Sequence, residues 1–78
     1  MKVFIFVVNT HGAACRTKAL SENGILLAEV GSTHRSFCES DIRRAEQRLR
    51  LEGYDVEWVH DVEGHKGLQK ALKIWEKK

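Results

Sequence analysis

The chain has no proline, only two cysteines and no long hydrophobic run. Two cysteines are too few for a disulfide framework, and a reducing compartment would keep both thiols free. A transmembrane helix needs about 20 apolar residues in a row, whereas the apolar run VFIFVV at residues 3–8 has six. This run is also followed directly by NTHG, which does not fit a signal peptide. We therefore expect a cytoplasmic protein with no membrane partner.

The composition that is present is typical of a small globular domain. The chain has 78 residues, of which 42% are hydrophobic and 31% charged, and this predicts a single compact domain over residues 1–78. The net charge is only +2 but is unevenly distributed, because residues 53–64 carry four acidic groups and no basic ones, whereas residues 65–78 carry five basic groups and one acidic group.

Three strands and two helices follow from the periodicity. Residues 2–8 and 25–30 are nearly continuous apolar runs, which predict strands buried on both faces. Residues 54–60 alternate between apolar and polar, which predicts an edge strand. Residues 37–52 and 65–77 have helical periodicity. The apolar stripes that would face the core are Cys38, Ile42, Ala45 and Leu49 in the first helix, and Leu68, Ala71, Leu72 and Trp75 in the second.

The segment GAACRTKALSENG at residues 12–24 is ambiguous. Its alanine, lysine and arginine favour a helix that begins after Thr10 and ends at Asn23-Gly24. Asn23-Gly24 is equally a hairpin signal, which would make the segment a strand paired with residues 25–30. The helix is the favoured interpretation, and it predicts an α/β fold, a βαβαβα unit with a three-stranded parallel sheet in the order 2-1-3. The hairpin predicts an α+β fold, βββαβα, with both helices on one face.

A repeated pattern marks two points of the chain. NTHGAAC at residues 9–15 and STHRSFC at residues 32–38 both place Thr-His, three residues and then Cys after an apolar run. In the parallel fold these histidines gather at the carboxyl edge of the sheet beside helix N-termini, where α/β sheets bind anions and small ligands. The residues of this phosphate or small-ligand site, which could be catalytic, are Thr10, His11, Gly12, Arg16, His34 and His60.

The same pattern also raises a metal hypothesis. Two His–Cys pairs would make a Cys2His2 zinc site from His11, Cys15, His34 and Cys38. In the 2-1-3 order, however, the two cysteines lie on opposite faces of the sheet, and each belongs to an apolar stripe. Because cysteine is among the most buried residue types, we expect both to pack in the core and no cofactor, with zinc as the alternative.

Both helices carry a patterned outer face. The first presents Phe37, Arg44, Arg48 and Leu51, and the second presents Lys66, Lys70, Lys73 and Lys77. Exposed apolar groups beside arginine are typical of protein interfaces, although a solvated helix face has the same appearance. With no complete catalytic set, the sequence favours a non-enzymatic adaptor or inhibitor that binds a protein or nucleoprotein partner. Nucleic-acid binding by the lysines and homodimerisation through a sheet edge are alternatives.

Overall fold

The computed structural model describes residues 1–9, 15–32 and 35–77, without the side chains of residues 9, 15, 32 and 35–39. In these ranges four strands and two helices follow one another along the chain. They are β1 (Lys2–Asn9), β2 (Cys15–Ser21), β3 (Leu26–Ser32), α1 (Arg35–Leu51), β4 (Asp55–Trp58) and α2 (Lys66–Glu76). Neither α1 nor α2 is long and apolar enough to cross a membrane.

The strands form one mixed sheet in the order β3-β2-β1-β4. Strand β2 is antiparallel to both β1 and β3, and β4 is parallel to β1. Strands β1, β3 and β4 therefore run in the same direction and β2 runs against them. The inner strands are β1 and β2, so β3 and β4 form the two edges.

Strand β1 supplies the core on both faces of the sheet. Val3 and Ile5 lie on one face, in a cluster with Ile42 of α1, and all three are at most 1% exposed. Phe4 and Phe6 lie on the other face, in a cluster with Leu68, Ala71 and other residues near α2. Because successive side chains of a strand alternate between faces, this division places α1 and α2 on opposite sides of the sheet.

The predicted parallel three-stranded sheet is wrong, because residues 15–21 form a strand rather than part of a helix. Thr17 and Ala19 are buried in register with Val7 and Ile5 of β1. Leu20 is buried on the other face, in the cluster with Phe4. Only a strand, whose successive side chains point to opposite faces, buries Thr17 and Ala19 on one face and Leu20 on the other. Pairing with a strand on each side of β2 overrides the helix propensity of its alanine and lysine.

The hairpin prediction gives the observed order of elements but misplaces the helices. Strand β2 turns into β3 through residues 22–25, and Gly24 takes a positive φ of +77° at the predicted turn. The α+β class is therefore confirmed. The helices, however, cover opposite faces rather than one face, because β1 is apolar on both of its sides and each side has to be covered.

Gly24 is also a packing site for α2. A Cβ atom added at this glycine would lie 2.7 Å from the Cβ of Ile74 and 2.9 Å from the backbone nitrogen of Trp75. Gly53, which follows α1, has a positive φ of +96°, and a Cβ atom added there would have no neighbour within 4 Å. The two glycines therefore differ in crowding and share the same backbone constraint.

Replacing each glycine by alanine separates these two effects. Gly53→Ala should lower the free energy of unfolding by about 1 kcal/mol through the left-handed backbone alone. Gly24→Ala should cost about 1–3 kcal/mol more, because the methyl group overpacks the contact with α2. Chemical denaturation of both variants measures the difference, and equal losses would show that the turn does not press against α2.

Candidate functional site

A groove of about 470 Å³ lies between α1 and the edge strand β3. Its apolar lining comes from both elements, and its charged lining comes from the helix. The residues around it are Leu27, Ala28, Ala45 and Leu49, together with Arg44, Arg48 and Glu52. A cleft with an apolar lining and a few charged groups is the usual form of a binding site.

Two arginines on the rim of the groove have no ion-pair partner among the described side chains. Arg44 and Arg48 are one helical turn apart, so both lie on the β3 side of α1 and both are exposed. Among the side chains that the structure describes, which exclude that of Glu39, no carboxylate lies within 4.0 Å of either guanidinium, whereas Arg50 of the same helix pairs with Glu46 at 2.9 Å. Because the carboxylate of Glu52 also lines the groove, its lining carries two positive charges and one negative charge, and the groove is net positive beside apolar surface.

The opposite side of α1 is tied to β4. Glu46 accepts hydrogen bonds from the indole nitrogen of Trp58 at 2.7 Å and from Nε of Arg50 at 2.9 Å. Nη2 of Arg50 also donates to the backbone carbonyl of Val56 at 3.3 Å. Side-chain hydrogen bonds thus join α1 to β4, and the groove lies on the β3 side of the helix.

The predicted partner-binding residues divide between two surfaces. Arg44, Arg48 and Leu51 are exposed on α1, and Leu51 is 88% exposed, so it does not pack near Gly53. The side chain of Phe37 lies outside the described residues. The lysines of α2 are all exposed, on the other face of the sheet, and are Lys66, Lys70, Lys73 and Lys77. The structure does not bring the two surfaces together.

The predicted ligand site depended in part on a helix at residues 12–24, and the structure has strand β2 at residues 15–21 instead. Thr10, His11, Gly12 and His34 lie outside the described residues. Arg16 lies in strand β2 rather than in the predicted helix, with its Nη1 3.8 Å from Glu29 of β3.

His60, the remaining residue of that predicted site, is exposed after β4. Strand β4 ends at Trp58 opposite Ile5, whereas β1 continues to Asn9. The carboxyl ends of these two parallel strands are therefore staggered by four residues, or about 13 Å. The ligand assignment itself stays a prediction.

The zinc site stays a prediction. A helix at residues 12–24 would have placed the two cysteines on opposite faces of the sheet, but strand β2 lies there, so the two faces no longer argue against zinc. His11, His34 and the side chains of Cys15 and Cys38 lie outside the described residues. Among the residues that are described, no group of three or more His, Cys, Asp or Glu side chains is placed to hold a metal ion.

A charged cluster that the sequence reasoning missed joins β1, β4 and the start of α2. Glu57 lies between Lys2, whose Nζ is 3.0 Å away, and Nε2 of His65. Nδ1 of His65 accepts the backbone N–H of Leu68 at 3.0 Å, so His65 caps α2. Its ring also makes an edge contact with Phe4, with the centroids 5.1 Å apart. Because histidine is an uncommon cap, composition and periodicity gave no signal for it.

The cluster engages both nitrogens of the His65 ring. The bond from Leu68 requires a lone pair on Nδ1, and the proton of the neutral ring is then on Nε2, which donates to Glu57. Both ring nitrogens are therefore occupied. The hydrogen bond from Lys2, followed by that from His65, lowers the pKa of Glu57, and Glu57 in turn raises the pKa of Lys2.

Comparisons with known proteins supply no relatives for the site. No protein-family model matches the sequence, and no curated protein or solved structure is significantly similar to it. The functional assignment of the groove therefore depends on its own geometry and charge.

Removing the Glu57 carboxylate should lower stability in a pH-dependent way. A carboxyl whose pKa is depressed by folding stabilises the folded state above the usual glutamate pKa, and this stabilisation is lost as the pH falls through the depressed value. Glu57→Gln should therefore melt below the wild type at pH 7, and the difference should shrink towards pH 3. Thermal unfolding at both pH values measures it.

The matched control is Glu63→Gln, which removes the same charge from an exposed position with no ion-pair partner in the described residues. This variant should melt close to the wild type at pH 7. A loss as large as that of Glu57→Gln would mean that overall charge, rather than the cluster, is responsible.

Proposed function

We propose that the protein is a non-enzymatic binding module that takes an acidic segment of a partner protein into the groove between α1 and β3. The observation that supports this most directly is the pair of exposed arginines, Arg44 and Arg48, which have no ion-pair partner among the described side chains and lie beside an apolar lining. Arginine is enriched in protein interfaces, where its charge steers the encounter and its stem and planar head add contact area.

The two components of the groove have different roles in this proposal. Leu27 and Ala28 of β3, with Ala45 and Leu49 of α1, provide apolar surface whose burial contributes about 25 cal/mol for each Å² removed from water. The arginines select the sign of the partner's charge, because an acidic side chain neutralises them and a basic one is repelled.

The α1 groove is favoured over the lysines of α2 as the binding surface. The four α2 lysines are exposed on a helix surface, which is also the appearance of an ordinary solvated face. The groove adds concavity and apolar lining to its charge. Binding of a nucleic acid or an acidic partner by the lysines stays a prediction of the sequence alone.

Reversing the groove charges should abolish binding of an acidic probe. The probe is the capped heptapeptide Thr-Glu-Thr-Val-Thr-Glu-Thr, whose alternate residues present two glutamates and a valine on one side when extended. Arg44→Glu/Arg48→Glu should weaken its affinity at least about tenfold, because two attractive charges become repulsive. Titration of the ¹⁵N-labelled protein monitored by NMR measures the affinity.

A matched control changes the same charge on the other face of the sheet. Lys70→Glu/Lys73→Glu should leave the affinity for the heptapeptide within about twofold, apart from a general effect of net charge that added salt removes. Equal losses in the two double variants, or unchanged binding after the arginine reversal, would reject the groove as the binding surface.

A further inference from the structure

In an antiparallel sheet, alternate residues of a strand bond to the neighbour on one side. This alternation shows which backbone groups of β3 point away from β2. The N–H of Glu22 donates to the carbonyl of Lys2 at 2.9 Å, which identifies Lys2 and Glu22 as a hydrogen-bonded antiparallel pair. Such pairs recur at every second residue. The even-numbered residues of β2 therefore bond to β1, and the odd-numbered residues bond to β3.

The same alternation applies to β3. Ala28 and Val30 are opposite Ala19 and Thr17, the odd-numbered residues of β2, and therefore bond to β2. Glu29, which lies between them, directs its N–H and carbonyl away from β2, and Gly31 does the same. Strand β3 thus presents two residues with backbone donors and acceptors at the edge that borders the groove.

The other edge of the sheet is protected. Strand β4 has four residues, and its outward carbonyl at Val56 accepts a hydrogen bond from Arg50. Strand β3 has seven residues, with an irregularity that makes Leu27 an extra residue in the ladder. A bulge at this point leaves residues 28–32 as the regular part of the β3 edge.

From these features we infer that β3 receives the acidic segment as an added fifth strand, joined to Glu29 and Gly31 by backbone hydrogen bonds. This mode of binding is β-strand addition, in which the main chain provides affinity and alternate side chains provide specificity. The inference rests on the proposed function and specifies how the partner is bound.

The charges on the two faces of β3 define the pattern of the incoming strand. On the α1 face, the added side chains meet the apolar lining, two arginines (Arg44 and Arg48) and one glutamate (Glu52). This lining is net positive, so acidic and apolar residues fit there. On the α2 face, Glu29 already lies 3.8 Å from Arg16 and 3.7 Å from Lys18. These cations have a carboxylate beside them, so uncharged side chains fit on that face.

The same charges disfavour a second copy of this chain as the occupant. Antiparallel pairing of β3 with its own copy would place both α1 helices on the same face of the joined sheet, across a two-fold axis. Arg44 and Arg48 of the two copies would then face each other with like charge, which is unfavourable. An acidic strand removes this repulsion, so we assign the edge to a partner of that chemistry.

Backbone N-methylation of the heptapeptide tests strand addition on the unmodified protein. In an antiparallel complex, the residues that pair with Glu29 and Gly31 share their face, so the threonines bond to β3. Methylating the two central threonine nitrogens should weaken binding at least about tenfold, whereas methylating the two glutamate nitrogens should have little effect. The reverse result would support parallel addition, and equal affinity of both methylated peptides would overturn the inference.

A proline substitution tests the same edge from the protein side. Gly31 has no positive φ, and its N–H is not used in the ladder to β2, so Gly31→Pro removes an outward donor and restricts φ to about −65°. This variant should weaken binding of the unmethylated heptapeptide at least about tenfold, and Gly31→Ala should bind within about twofold of the wild type. The methylated peptides provide the test if the proline variant does not fold.

The outcomes separate this inference from the proposed function. If the arginine reversal abolishes binding but methylation and Gly31→Pro do not, the groove binds acidic segments without strand addition. If the arginine reversal has no effect, both proposals fail. Sedimentation of the wild type should show a monomer at the concentrations used. A dimer that Gly31→Pro dissociates would assign the edge to a second copy and overturn the acidic occupant.

Discussion

The two-sided burial of β1 is the constraint on which the rest of the structure depends. Four successive side chains, Val3, Phe4, Ile5 and Phe6, are each at most 3% exposed, although they alternate between the two faces of the sheet. Complete burial of one large apolar side chain contributes about 1.5–3 kcal/mol. Covering only one face would leave half of this contribution unrealised, so the chain needs a helix on each side.

With only two helices in the described residues, each face of the four-stranded sheet has a single helix to cover it. Helix α1 is fastened towards β4 by Glu46, which bonds both Trp58 and Arg50. No equivalent side-chain link to β3 occurs in the described part of the chain. Helix α1 also packs against β3, and the groove is the open space left between the helix and this edge strand. Its apolar lining is accessible because Leu27 and Ala28 are only partly buried.

The elements that could be predicted from the sequence are those whose apolar residues recur with a regular period. Both helices were predicted close to their observed bounds, and the alternation of residues 54–60 correctly predicted an edge strand. Residues 15–21 were not predicted as a strand in the favoured fold, because their local composition favours a helix. Their strand conformation depends on pairing with β1 and β3. Such pairing between separate segments produces no periodic pattern of apolar residues within residues 15–21.

The repeated Thr-His pattern shows that two similar short motifs in one sequence can adopt different secondary structures. Cys15 begins strand β2, whereas Cys38 lies within helix α1. The first copy therefore leads from a strand into a strand, and the second leads from a strand into a helix. Only the second matches the strand-to-helix turn predicted for both. The two copies differ because residues 16–21 are buried on both faces of the sheet, whereas the burial of residues 42–49 has a helical period. In the same way, helical spacing alone places Arg44 and Arg48 together, but their position beside β3 depends on a strand order that was predicted wrongly.

The contrast between the two edges is the strongest physical reason to treat β3 as a binding element. An exposed strand edge invites pairing with other chains, and soluble proteins commonly block their edges with short strands, charged side chains or bulges. Strand β4 is short and has its Val56 carbonyl occupied by Arg50. In the described residues nothing bonds the outward backbone groups of Glu29 and Gly31 in β3, and the groove beside them has two arginines against one glutamate. Those charges deter pairing with a copy of the same chain and favour an acidic one, so the edge is selective rather than merely unprotected.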